Sequence, residues 1–175
     1  MGIELKIDRT FDEKNYRHIA FGRSFVSHCN HHAALYTQLA EDASESFGGH
    51  QLLVDAAEES FYKLLKDYFS LHLITGLSDR AQIAEKFWSY MGMGKLIISD
   101  FSETNGTAEM PVSHIDSGWE KKFGKRDKPV NYITHGYLAA VFAVIRDLPI
   151  GSYSVQETQS IVIGNEKSKF TIEKK

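Results

Sequence analysis

The feature that most constrains this chain is a change of hydrophobic period at Lys95. Before it, apolar residues recur at spacings of three and four; after it, they alternate at a spacing of two around an Asn105-Gly106 pair. The first pattern is one face of a helix, and the second is a half-buried strand entering a tight hairpin turn. A chain with helices first, then strands with further helices between them, can bury its apolar faces by packing helices against an antiparallel sheet. The predicted fold class is therefore α+β.

From about Tyr16 to Glu45, Val26, Cys29, Ala33, Tyr36 and Ala40 define one amphipathic helix, closed by Ser44, Ser46, Gly48 and Gly49. Leu53, Ala57, Phe61, Leu64, Tyr68 and Leu71 define a second, with Gly76 as its stop. Ser78 or Asp79 caps a third, which carries Ile83, Phe87, Tyr90 and Met91 and ends at Gly92 and Gly94. Leu96 to Phe101 and Ala108, Met110 and Val112 form the hairpin, and Pro111, lacking an amide hydrogen, places its second strand at an edge or at an end. Ile115, Trp119 and Phe123 mark a short helix broken near Gly124. Pro129, at or near the first helical position, opens another that runs to about Asp147, with Ile133, Tyr137, Ala140, Val144 and Leu148 on one side and Pro149 as its end. Tyr153 to Thr158, continued by Ile161 to Ile163, and Lys169 to Ile172 are the last strands, joined by a turn from Gly164 to Lys167. The order is three helices and then β-β-α-α-β-β, with a helical N-terminal region over 1–92 and a mostly antiparallel region over 93–175, expected to form one compact unit.

At 175 residues the chain can bury a sizeable core without a disulfide framework, which its single cysteine, Cys29, excludes. A net charge of −3 argues against a protein built to hold nucleic acid or an anionic membrane. The N-terminus has no signal-peptide pattern, and Lys6 stands where myristoylation after Gly2 would want Ser or Thr. The longest apolar run, Leu138 to Ile145, is well short of the roughly 20 residues of a spanning helix. A soluble protein in a reducing, cytoplasmic setting is expected.

Several side chains carry chemistry. His28 and His32 stand one helical turn apart with Cys29 beside them, so the three could converge on one ion, zinc being the metal that suits such a set. The same residues also fit packing within a helical core, in register with Phe25, Leu35 and Leu39. His114, Trp119, Tyr132, His135 and Tyr137 gather around the two later helices as aromatic walls with polar ends, the usual lining for a flat or long apolar ligand. Glu157 lies in an alternating strand, where burial would raise its pKa. The basic run Lys121, Lys122, Lys125, Arg126 and Lys128 suits the carbonyl end of a helix. No dinucleotide or phosphate-loop glycine motif is present.

The ordered residues Ser113-His114, Gly118-Trp119, Phe123-Gly124, Pro129-Val130, Gly136-Tyr137, Val155-x-Glu157, Gly164 and Phe170-x-Ile172 resemble the vinyl-4-reductase-like, or hydrocarbon-binding, domain family. The preceding helices more loosely resemble the N-terminal parts of proteins related to thiazoline-carboxylate hydrolases. The first resemblance implies a mostly antiparallel sheet, a hydrophobic pocket between sheet and helices, homodimers, and kinship with vesicle-tethering subunits and nitric-oxide-sensing haem proteins. Many members carry cysteines at positions that here are Asn131, Ser160 and Ser168, or Lys169 if the turn is aligned one residue differently. A thiolate metal site or cysteine nucleophile of that kind is placed in doubt, because Ser and Asn supply no soft anionic ligand. The expectation is a small-molecule-binding protein whose pocket, including His114, Trp119, Tyr132, His135, Tyr137 and Glu157, holds an apolar or aromatic ligand. A histidine-based or metal-assisted hydrolase of a small substrate and a dimerisation scaffold are the alternatives; the sequence assigns no reaction.

Overall fold

The computed structural model describes residues 2–175. Its second half follows the predicted order. Strands β4 (Gly94–Phe101) and β5 (Asn105–Ser113) form the hairpin, followed by α5 (His114–Phe123), α6 (Tyr132–Ile145), β6 (Tyr153–Gln159) and β7 (Ser168–Lys174). The sheet is antiparallel throughout, in the order β4-β5-β7-β6. Strand β5 is thus an inner strand, yet Pro111 fits it. Pairing with β7 ends at Met110, opposite Ser168, and the register with β4 shifts between Lys95 and Ile97. The proline sits past the shared ladder, at an irregularity where an amide donor can be spared.

Helix α6 differs from its expected one-sided face. From Gly136 to Ile145 every residue is buried, because Tyr137 to Ile145 is apolar in all directions and such a helix belongs inside a protein. One side meets the sheet, where Phe142 lies over Gly106 and packs edge-on against Tyr153. The other meets α3 (Gly49–Leu71) and α4 (Leu77–Tyr90), where the Tyr137 hydroxyl donates to the Ala84 carbonyl at 2.6 Å. Gly136 makes the α3 crossing close: a Cβ there would stand 2.2 Å from the Val54 carbonyl oxygen. Pro129 precedes α6 rather than opening it; the N-cap is Asn131. One hydrophobic core runs from Ala33 through Phe87 and Trp88 to Phe170 and Ile172, so the helices of the first region and the sheet of the second share it.

The N-terminal segment is where the structure overturns the periodicity. Three short strands, β1 (Arg9–Asp12), β2 (Arg17–Ala20) and β3 (Arg23–Phe25), form a separate antiparallel sheet. The first helix, α1 (Asn30–Asp42), starts well after Tyr16, and a single turn, α2 (Ser44–Phe47), leads into α3. Phe21 and Gly22 both have positive φ, 53° and 72°, the backbone of a two-residue hairpin turn. Asp12 accepts bonds from the amides of Lys14 and Asn15 and fixes the other turn. Val26 and Cys29 matched the helical spacing by coincidence: both are exposed and precede α1. Two smaller differences follow from caps. Gly76 starts α4 as its N-cap rather than stopping α3, and Ile161–Ile163 is a 3-10 turn rather than a continuation of β6. No helix among the described residues is long and apolar enough to cross a membrane.

Candidate functional site

A cavity of about 310 Å³ lies beside the connection from β3 to α1. Its walls are mostly apolar: Phe25 and Ala33 from the two ends of that connection, Phe61 from α3, Met93 before β4, and Ile133 from the first turn of α6. The polar side chains of its lining are those of Ser27, His28, Tyr36 and His114. The chamber therefore sits among helix ends and a connecting segment, not between helices and sheet as the sequence suggested. Between α3, α6 and strand β6 lies a smaller cavity of about 170 Å³, lined by Val54, Glu58, His135, Ala139, Tyr153 and Val155.

His114 reaches this wall because two local bonds fix the start of α5. Ser113 caps the helix by accepting from the Asp116 amide at 3.0 Å, and the His114 amide donates to the Met93 carbonyl at 3.0 Å. The His28 and His114 ring centroids are 5.9 Å apart. The Cys29 carbonyl lies 3.2 Å from His28 Nδ1, with the His114 ring also near it. A carbonyl only accepts, so His28 gives it an N–H from Nδ1. Burial, and then the neighbouring His28, push the His114 pKa below its ordinary value of 6.5, so at pH 7 this ring is neutral. The chamber is thus apolar, with a neutral His114 imidazole, which carries one lone pair, on its histidine wall.

The remaining residues singled out in the sequence fall in several places. Cys29 is exposed at the N-cap of α1, with Sγ 3.7 Å from His31 Nδ1 and 3.8 Å from His32 Nδ1. His28, Cys29 and His32 were expected to converge through one helix; the helix starts at Asn30, and that premise fails. His28 instead turns Nδ1 to the Cys29 carbonyl, and among the described residues no group of three or more His, Cys, Asp or Glu side chains is placed to hold a metal ion. Trp119 is buried against Phe123 and under the Arg126 guanidinium. Tyr137 is a core residue. Tyr132 stacks on His50 at 4.3 Å and gives its hydroxyl to Glu41 at 2.6 Å. Glu41 also takes two bonds from Arg126, at 2.8 and 3.2 Å, and lies 3.2 Å from His50 Nε2. Of the basic run, Lys121 and Lys122 end α5 as the dipole argument requires, and Arg126 serves this ion network.

His135 and Glu157 belong to a second buried place. His135 Nε2 is 3.7 Å from Glu157 Oε2, and Glu157 Oε1 accepts from Asn131 Nδ2 at 2.8 Å. The same Asn131 nitrogen donates to Asp116 Oδ2 at 3.0 Å and approaches Ser168 Oγ at 3.4 Å, while Asn131 Oδ1 accepts from Ser113 Oγ at 3.3 Å. Ser168 rather than Lys169 faces inward; Lys169 reaches Glu109 on the surface. Ser160 is buried next to it, and the following amide, of Ile161, donates to Ser168 Oγ at 3.2 Å. Asn131, Ser160 and Ser168 thus lie together around one cluster, but they offer an amide and two hydroxyls, a donor set that does not fit a thiolate-held metal. Burial, with Glu157 close by, holds the Asp116 carboxyl above its ordinary range. His114 and His135, paired in the hydrolase reading, line different cavities.

No family model and no curated protein matches the chain. Its fold does match solved structures. The phenol-responsive sensory domain of the transcription activator PoxR, solved with phenol, aligns at a TM-score of 0.75 and 11% identity over 95% of this chain and 84% of that one. A vinyl-4-reductase family protein from Methanocaldococcus jannaschii aligns at 0.52 and 15% identity, covering 70% and 68%. A trafficking protein particle complex subunit 3 from Naegleria fowleri, covalently bound to palmitic acid, aligns at 0.55 and 12% identity, covering 83% and 94%. At these identities the likeness is one of fold.

Proposed function

We propose that this chain is a small-molecule-binding module that holds one compact apolar or aromatic molecule in the His28/His114 chamber. The observation that carries the reading is the chamber itself, a mostly apolar cavity of about 310 Å³ with the His28 and His114 rings on one side. That volume is at the small end of ligand pockets, so a single ring with a short substituent suits it better than a drug-sized guest. A neutral guest with a hydroxyl hydrogen to give matches the lone pair on His114, whereas a carboxylate would meet a neutral acceptor. The fold likeness to a sensory domain solved with phenol supports the reading and makes phenol the natural first probe. The reading is one of binding, and no bond-making step is drawn from it.

Native mass spectrometry of freshly purified protein, compared with its denatured mass, tests the proposal. An excess mass of a small organic molecule, lost on denaturation and taken up again from added phenol, supports it. Bare subunits that acquire no mass from phenol or from toluene would contradict it. The same spectrum counts subunits, for which the family resemblance predicts a homodimer.

A further inference from the structure

Five buried polar side chains from separate parts of the fold meet at Asn131. Ser113 ends β5, Asp116 lies in α5, Asn131 caps α6, Glu157 is in β6 and Ser168 in β7, and all five are buried. A buried carboxylate without a donor is costly, and two near one another cost more. The Asn131 carboxamide answers both: its two N–H groups face Asp116 Oδ2 and Glu157 Oε1, with Ser168 Oγ at the edge of reach, and its oxygen takes the Ser113 hydroxyl. An amide nitrogen thus occupies the space between two carboxylates that a bridging cation would need. The surrounding donors are hydroxyls, which are poor ligands for a soft ion.

We infer that Asn131 is the cross-link of this cluster, tying α5, α6, β6 and β7 together by hydrogen bonds alone, so that this end of the domain holds without a metal ion. The inference stands whatever the chamber binds. It assigns a role to a residue that sequence patterns alone would leave as a helix N-cap, and it explains why Asp116 and Glu157 can be buried so close together. Four buried polar atoms around the cluster, Asp116 Oδ1, Glu157 Oε2, Ser160 Oγ and His135 Nε2, have no hydrogen-bond partner among the described residues.

The test uses the full chain. Metal analysis of the purified protein should show only substoichiometric metal, and a strong chelator should leave its melting temperature unchanged. Stoichiometric metal whose removal lowers the melting temperature would overturn the inference. The cross-link is tested by a double-mutant cycle on Asn131→Ser and Glu157→Met, the second of which removes the acceptor and keeps the side chain's length. Asn131→Ser should lower the melting temperature by more than about 5 °C, and the double variant should lose less than the sum of the single ones, because the bond is already gone. Strict additivity, or an Asn131→Ser protein as stable as the parent, would overturn the inference. Should Asn131→Ser fail to fold, the same cycle run with Ser168→Ala and Glu157→Met must show coupling through Asn131, and additivity there has the same meaning.

Discussion

His28 and His114, from opposite halves of the sequence, bring their rings to 5.9 Å at one wall of the chamber, tilted 59° to each other. His28 turns Nδ1 to the Cys29 carbonyl, which also lies near the His114 ring. The orientation of the His28 ring in that wall therefore depends on a backbone oxygen as well as on packing.

His114→Phe keeps an aromatic ring in the wall and removes the acceptor. Phenol affinity should fall about tenfold, the size of one lost hydrogen bond. Toluene, which makes no such bond, should bind as before. Paired calorimetric titrations of the two ligands read the difference, and an equal loss for both would show that the ring matters only for shape.

The Asp116 carboxyl has a pKa raised by burial above its ordinary 3.8. A raised folded-state value means that its contribution to stability is fully present below pH 3.8 and is lost as pH rises through the raised value. Asp116→Asn keeps an oxygen to accept from Asn131 and cannot ionise. Urea titrations across this range should therefore show the variant gaining on the parent as pH rises. A stability difference that does not vary with pH would mean that Asp116 titrates normally.

Glu41 behaves in the opposite sense. Burial pushes its carboxyl up, but hydrogen bonds from Arg126 and Tyr132 bring it net below its ordinary 4.5. Its contribution is present above pH 4.5 and is lost as pH falls through the lowered value. Glu41→Gln should cost about 1–2 kcal/mol at pH 7, discounted for partial solvent contact. Under strongly acidic conditions the cost should vanish.

Gly136→Ala would drive a Cβ to 2.2 Å from the Val54 carbonyl oxygen and 2.7 Å from the Ala57 Cβ. Helices α3 and α6 would have to separate, and a loss of about 1–3 kcal/mol is expected from overpacking. Gly124→Ala is the useful contrast: no atom lies within 4 Å of its Cβ, and only its positive φ of 78° opposes the change.

How far the fold could be read in advance follows from where each pattern had a single cause. Helices α3 and α4 and the β4–β5 hairpin were legible because burial alone set their periods. The three N-terminal strands were not, because they are short and largely exposed, and because Val26 and Cys29 continue the spacing of α1 by accident. The Phe21-Gly22 turn was the signal available. Helix α6 was recognised, but its all-round apolar sequence pointed to a central helix, and central placement leaves the smaller cavity of about 170 Å³ beside the sheet. In the candidate site, His114 and His28 were each singled out for different reasons; nothing in spacing brings them together, since their meeting is made by the packing of α1 against α5. The close approach of those helices at Gly118, where a Cβ would stand 2.4 Å from the Asn30 carbonyl oxygen, is the kind of contact that no periodicity encodes.

Filling the chamber is the most direct test of its role. Ile133 lines it from the first turn of α6, and Ile133→Trp would occupy most of the space a single ring needs. Calorimetric titration of phenol and toluene into the parent and into Ile133→Trp, with the fold of each checked by its melting transition, is the measurement of choice. The account predicts saturable binding of one molecule per chain to the parent and none to the filled variant. Equal binding by both proteins would place the ligand elsewhere, and no binding by the parent would contradict the assignment of the chamber as a ligand site.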